Sequence, residues 1–213
     1  MNERMPHYTD REIVNRWALA AINPAISRLL SGKGTMDPGA DGCIGFFYVD
    51  HTEGIMFRIH SLCRIEPGKP PEIMVDFENH GESLVLPSDE VAPYTLLSNK
   101  AANDHSLLEE QRWLLFYEPE AFHALRTRVD LDRFRASGYF DDASAILCPH
   151  DQETIPEVVW VRLEDQSCNG AYFRGTLLNA PHANFGVHGG DMLMVRFAEH
   201  EGERILVADT VPP

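Results

Sequence analysis

The stretch Phe173–Val195, FRGTLLNAPHANFGVHGGDMLMV, decides how the C-terminal part of the chain folds. Phe173 and Leu177 fall on one side of its first apolar run, and Leu193 and Val195 on one side of its second. That period of two is the signature of a half-buried strand. Between the runs lie Asn, Pro and Gly, which break strands and build turns. His182 and His188 sit in this break, and Asp191 follows. The pattern predicts two strands joined by a long, shaped loop.

Working outward, EVVWVRLED places Val159, Val161 and Leu163 on one face, DMLMVRFAE adds Phe197, and ERILVAD offers Ile205 and Val207. Residues 153–213 therefore read as a four-stranded β-rich module. The alternate faces carry Trp160 with Arg162, Tyr172 with Arg174, Met194 with Arg196, and Arg204 with Leu206. If the strands pair, one sheet face presents four arginines among aromatic and apolar residues. Arginine outnumbers lysine 15 to 3, and its planar fork suits carboxylate or phosphate. The candidate binding set is Trp160, Arg162, Tyr172, Arg174, Arg196 and Arg204. The competing expectation is that these arginines pair with local acids such as Glu164 and Glu199.

Upstream, TDREIVNRWALAAINPAISRLLSGKG predicts an opening helix. Thr9 and Glu12 have capping-box spacing, Ile13, Trp17, Ala20 and Ala21 recur helically, Pro24 kinks or divides the run, and Gly32 and Gly34 end it. IGFFYV and IMFRIHSLCRI, separated by DHTEG, predict a hairpin. In its second strand Ile55, Phe57, Ile59, Cys63 and Ile65 share one face, and Arg58, His60 and Arg64 the other. EIMVDFEN and ESLVLP extend the meander. Short helices follow in NDHSLLEEQRWLLFY, EPEAFHALRTR and DLDRFRASG, and ASAILCP reads as a strand. PHDQETIPE is the best linker, which puts a boundary near residue 152 between an α+β region, 1–152, and the β-rich module. The expected fold class is α+β: an N-terminal helix on an antiparallel sheet, short helices in the middle, and the four-stranded module.

A chain of 213 residues with 44% hydrophobic content can bury an ordinary core. The first residues lack a secretory or transit pattern, and no run approaches the ~20 apolar residues of a membrane span. A cytoplasmic protein is expected. Cys43, Cys63, Cys148 and Cys168 show no CxxC pair and read as reduced thiols. The net charge of −15 opposes binding to nucleic acid or anionic membranes and favours a basic protein partner.

Candidate chemistry is sparse. His182, His188 and Asp191 could supply two imidazoles and a carboxylate to a zinc-like ion, but their spacing follows no standard ligand rule. A shaped connection using Gly186, Gly189 and Gly190 is the simpler expectation. SGKGT follows a helix rather than a strand and lacks phosphate-loop spacing. Cys148 and His150 share a strand face without a visible third group. Asp130, Asp132, Asp141 and Asp142 read as helix caps. The aromatic groups Phe46, Phe47, Tyr48 and Trp113, Phe116, Tyr117 read as core.

The C-terminal motifs resemble the YegJ-like bacterial domain of unknown function: a strand with Trp160, then Gly175, Thr176, Leu177, Asn179 and Pro181, then Gly190 and Asp191 entering the next strand. The resemblance covers about residues 157–209 and implies a small bacterial α+β module, with no activity to carry over. Domains of this style also look similar to immunity proteins that neutralise toxins. The expectation is a non-enzymatic acidic binding protein of that kind, without a cofactor, holding a basic, toxin-like protein. The alternatives are a metal-assisted hydrolase using His182, His188 and Asp191, and a sensor of an anionic small molecule using the arginine face.

Overall fold

The structure is a computed structural model, described over residues 7–77, 84–105, 107, 113–149, 154–167 and 169–210. The chain is α+β and divides into two compact units, Met1–Tyr117 and Glu118–Pro213. The division therefore falls well before residue 152, which itself lies outside the described residues. The strand Tyr139–Leu147 hydrogen-bonds to Glu157–Gln166, so it belongs to the second unit.

In the first unit the expected single helix is three elements. Helix α1 (Asp10–Ile13) is closed by Glu12, whose carboxylate accepts from the Thr9 amide at 2.7 Å. Asn15 then takes a positive φ of 58° and turns the chain into strand β1 (Arg16–Ala21). Trp-Ala-Leu-Ala-Ala favours helix locally, but here it fills the slot between two strands, where both of its edges are paired. Tertiary pairing overrides a propensity difference of only ~0.5 kcal/mol per residue. Of the two expectations for Pro24, a kink and a division, the division holds: Pro24 begins α2 (Pro24–Lys33). Asn23 caps it, accepting from the Ile26 amide at 2.9 Å, and Gly34 ends it at φ 68°.

The hairpin of β2 (Gly42–Asp50) and β3 (Gly54–Arg64) forms as expected. Strand β4 (Glu72–Asp76) pairs with the far half of β3, β5 (Val85–Pro87) with its near half, and β6 (Tyr94–Leu96) with β1, giving the order β4-β3-β2-β1-β6. Ile55, Phe57 and Ile59 are buried, but a register shift opposite Ile44 and Gly45 moves Cys63 and Ile65 to the other face. There they join Trp17, Phe46 and Tyr48 beneath Ala102 of α3 (Asn99–Asp104) and Trp113, just before α4 (Leu114–Tyr117). A bulge adds one residue and reverses the alternation beyond it.

The second unit opens with α5 (Glu120–Arg126), a 3-10 turn over Val129–Phe134 and the short β7 (Arg135–Ala136). Strands β8 (Tyr139–Leu147), β9 (Glu157–Gln166), β10 (Tyr172–Leu177), β11 (Met192–His200) and β12 (Glu203–Thr210) follow, each antiparallel to the next. Four are the strands expected of the module; the fifth, β8, contains the strand expected at ASAILCP and closes the sheet. With an odd number of alternating strands the first and last run the same way. Accordingly β12 pairs parallel with β8, Val207 opposite Ile146 and Ala208 opposite Leu147. The module is thus a closed five-stranded barrel rather than a four-stranded sheet.

Its interior holds Val159, Val161, Leu163, Phe173, Leu177, Leu193 and Val195, as the alternation predicts. On β12 the inward residues are Leu206 and Ala208, not Ile205 and Val207. Register explains this: Phe197 lies opposite Leu206 and Val195 opposite Ala208. A Cβ on Gly175 would stand 2.4 Å from the Arg162 carbonyl oxygen, so glycine permits the close approach at the irregularity between β10 and β9. Among the described residues no helix is long and apolar enough to cross a membrane.

Candidate functional site

The four arginines expected on one face do not share it. Register puts Arg204 on the inward side of β12, with Leu206 and Ala208. Its guanidinium lies 3.6 Å from the centre of the Phe197 ring, and it pairs with Asp130 at 3.4 Å. Arg128 grips the same Asp130 with two hydrogen bonds, at 2.8 and 2.7 Å, and lies over Phe173 and Phe197. An Arg-Asp-Arg group therefore closes one end of the barrel. The hydrogen bonds from Arg128 hold the Asp130 carboxyl below the usual carboxylate range.

Arg162, Arg174 and Arg196 remain on the outer face, and each has an aspartate. Arg162 meets Asp142 at 2.8 Å, Arg174 meets Asp165, and Arg196 meets Asp209 at 3.6 Å. Beneath α5, Arg126 holds the buried Asp141 through two bonds, at 2.9 and 2.7 Å. Asp141 and Asp142 are thus ion-pair partners and not helix caps. With Arg133–Glu203 and Arg135–Asp132, all eight arginines of Glu118–Pro213 stand beside a carboxylate, and that unit contains no lysine. The pairing expectation is met, through aspartates in place of Glu164 and Glu199. Counting residues 118–213, 16 acids against 8 arginines leave −8, with histidine neutral.

The arginine pairs leave an apolar strip uncovered on the same outer face. Val158 and Trp160 of β9 are 68% and 41% exposed, Leu178 38%, and Met192 of β11 41%, with Ile155 exposed just ahead of β9. Their continuity follows from pairing. The Leu178 amide donates to the Trp160 carbonyl at 2.9 Å, and Met192 lies opposite Thr176, which lies opposite Arg162. Tyr172 is also exposed, opposite Arg196 at the strip's far side. Trp160 and Tyr172 were visible in sequence as outward aromatics. Val158, Leu178 and Met192 share their outward parity or flank it, but apolar residues in strands read as core until register is known.

The loop between β10 and β11 is a plug. Phe185 is buried in the barrel core, with Val187 packed beside it. The Glu157 carboxylate accepts from the amides of His182 and Ala183, both at 2.8 Å, and the amide of His182 is the main cause of its lowered pKa. Asp191 accepts from the His188 amide at 2.7 Å, while its carboxylate stands 3.8 Å from the His188 Nδ1. Among the described residues no three His, Cys, Asp or Glu side chains are placed to share a metal ion. His182, His188 and Asp191 are therefore not brought together as a three-ligand set; their backbone and carboxylate groups shape the loop. Cys43, Cys63 and Cys148 are free thiols, with burial pushing Cys43 and Cys63 up to about 12; Cys168 and His150 lie outside the described residues.

No family model, curated protein or solved structure matches the chain.

Proposed function

We propose that this chain is an acidic binding protein that acts by stoichiometric association with a basic protein, as an inhibitor of the immunity-protein type and a bacterial YegJ-like module. The observation that carries this reading is that every arginine in the barrel unit stands beside a carboxylate of the same unit, with Arg128 and Arg204 sharing Asp130. Such arginines have little attraction left for an anionic metabolite, and the excess carboxylates create a field that steers a cation. The separation of the three candidate metal ligands likewise favours association over metal-assisted hydrolysis.

The test is purification of the tagged chain from its native host at low and at high salt, with mass spectrometry of everything retained. The expected result is one basic protein at near-equal amount, released as salt screens the charges. A stoichiometric metal or phosphorylated metabolite retained in its place would overturn the proposal.

A further inference from the structure

We infer that the docking surface is the outer face of β9 and β10 with the adjoining start of β11, centred on Val158, Trp160, Leu178 and Met192. Its partner is a protein surface that projects an aromatic or aliphatic side chain between lysines or arginines. The inference rests on the basic-partner reading above and assigns that partner a place and a chemistry.

Three observations carry it. The strip is apolar and exposed on regular strands, where a side chain's position is set by register rather than by loop motion. Clustered apolar side chains left in water on a rigid face are what a partner's buried contact requires. Second, three carboxylates rim the strip, of which Glu164 also lies in the field of Arg162. Glu164 accepts from the Thr176 hydroxyl, Glu157 from two loop amides, and Asp191 from the His188 amide. These carboxylates belong to the surplus of acid over arginine in residues 118–213. Third, the sheet carrying the strip is a closed barrel and the strip lies on its central strands, which have neighbours on both sides. A partner there gains nothing by adding a strand, so side chains must carry recognition. An apolar centre within an acidic rim is complementary to an apolar knob within a basic one.

The probe is a random peptide library displayed on phage and selected on the full-length chain. The winning peptides are then synthesised and titrated against purified protein. The expected winners carry an aromatic or large aliphatic residue flanked by Lys or Arg. Val158→Asp and Trp160→Ala should each weaken them at least about tenfold. Glu164→Gln should weaken them less and reduce the dependence on salt. Ile73→Asp, an exposed control on β4 of the other unit, should leave binding unchanged. Circular dichroism and thermal melting confirm that each variant folds, and if Val158→Asp does not, Met192→Glu replaces it. Basic winners that bind both strip variants at full strength would overturn the placement while leaving the basic-partner reading intact. Acidic winners would overturn both. Light scattering that shows dimers dispersed by Val158→Asp would assign the strip to a second copy of this chain and overturn the inferred partner.

Discussion

The two units solve the problem of a sheet's edges differently. Among the described residues the first leaves its sheet open, with β4 and β6 each paired on one side of the order β4-β3-β2-β1-β6, and it relies on caps and apolar faces. The second closes its strands into a barrel and places ion pairs at the positions the apolar interior cannot fill. In the barrel unit arginine serves the fold, so surplus acid faces solvent. The comparison teaches that a residue's count in a sequence says less about its role than what stands opposite it.

The sharpest way to break this contrast is Arg126→Met. It strands the Asp141 carboxylate in a buried site, and loss of one partner from such a pair costs about 3–5 kcal/mol. Urea titration followed by hydrogen exchange should show the loss in peptides of 118–210. The double change Arg126→Met with Asp141→Leu should recover most of it, because no unpaired charge then remains. If the single variant is as stable as the parent, the barrel does not depend on its buried ion pairs.

A smaller effect tests a device the two units share. Gly45 and Gly175 each sit at a register shift, and an added Cβ would lie 2.4 Å from the Phe57 ring or from the Arg162 carbonyl oxygen, respectively. Gly45→Ala and Gly175→Ala should each destabilise by ~1–3 kcal/mol, through overpacking rather than lost burial. Backbone stands against both: the Arg58 carbonyl oxygen would lie 2.6 Å from a Cβ at Gly45 and the Arg162 carbonyl oxygen 2.4 Å from one at Gly175, so no side-chain rotation relieves either clash and thermal melting should show comparable losses.

Caps and titrating groups come next. Asn23→Ala should cost ~1 kcal/mol in the first unit, since it removes the α2 cap and donors to the carbonyls of Glu90 and Ala92. In the barrel, Asp130 has a folded-state pKa below its ordinary value. Its contribution is therefore complete above the unfolded carboxylate range and is lost as pH falls through the lower folded value. Acid titration below about pH 4 should destabilise the barrel more steeply than the Asp130→Asn variant.

The barrel was legible strand by strand because alternation survives wherever one side faces a core. What sequence could not supply was closure. ASAILCP reads as a strand, but nothing local says that β8 meets β12 across the barrel, just as nothing local gives the β11–β12 register that turns Leu206 and Ala208 inward. The N-terminal misreading has a different cause. Trp17–Ala21 follows helical spacing and composition, and only its two strand neighbours, far apart in sequence, make it β1. Asn23–Pro24 carries the signal for a new helix, a cap followed by the first helical position, but within a helical run it reads equally as a kink or a division. The candidate site was half legible: Trp160 and Tyr172 by parity and the arginines as members of ion pairs, but not the aspartates that engage Arg162, Arg174 and Arg196.

The smallest stability effect separates the rival readings of the outer face most cleanly. Arg174 and Asp165 are both exposed, so their pair is screened by solvent and worth at most ~1 kcal/mol. Arg174→Ala should leave the melting curve nearly unchanged, while removing a positive charge from the face that presents Trp160 and Met192. If the partner is cationic, the more negative face should associate somewhat faster at low salt, with the gain vanishing at high salt. If the face instead reads an anionic molecule, the same variant loses a ligand contact and must bind more weakly. Stopped-flow association of a selected basic peptide tests the first reading and titration of a phosphorylated metabolite the second, and Arg174→Ala should strengthen the one or weaken the other at a position where the fold itself is indifferent.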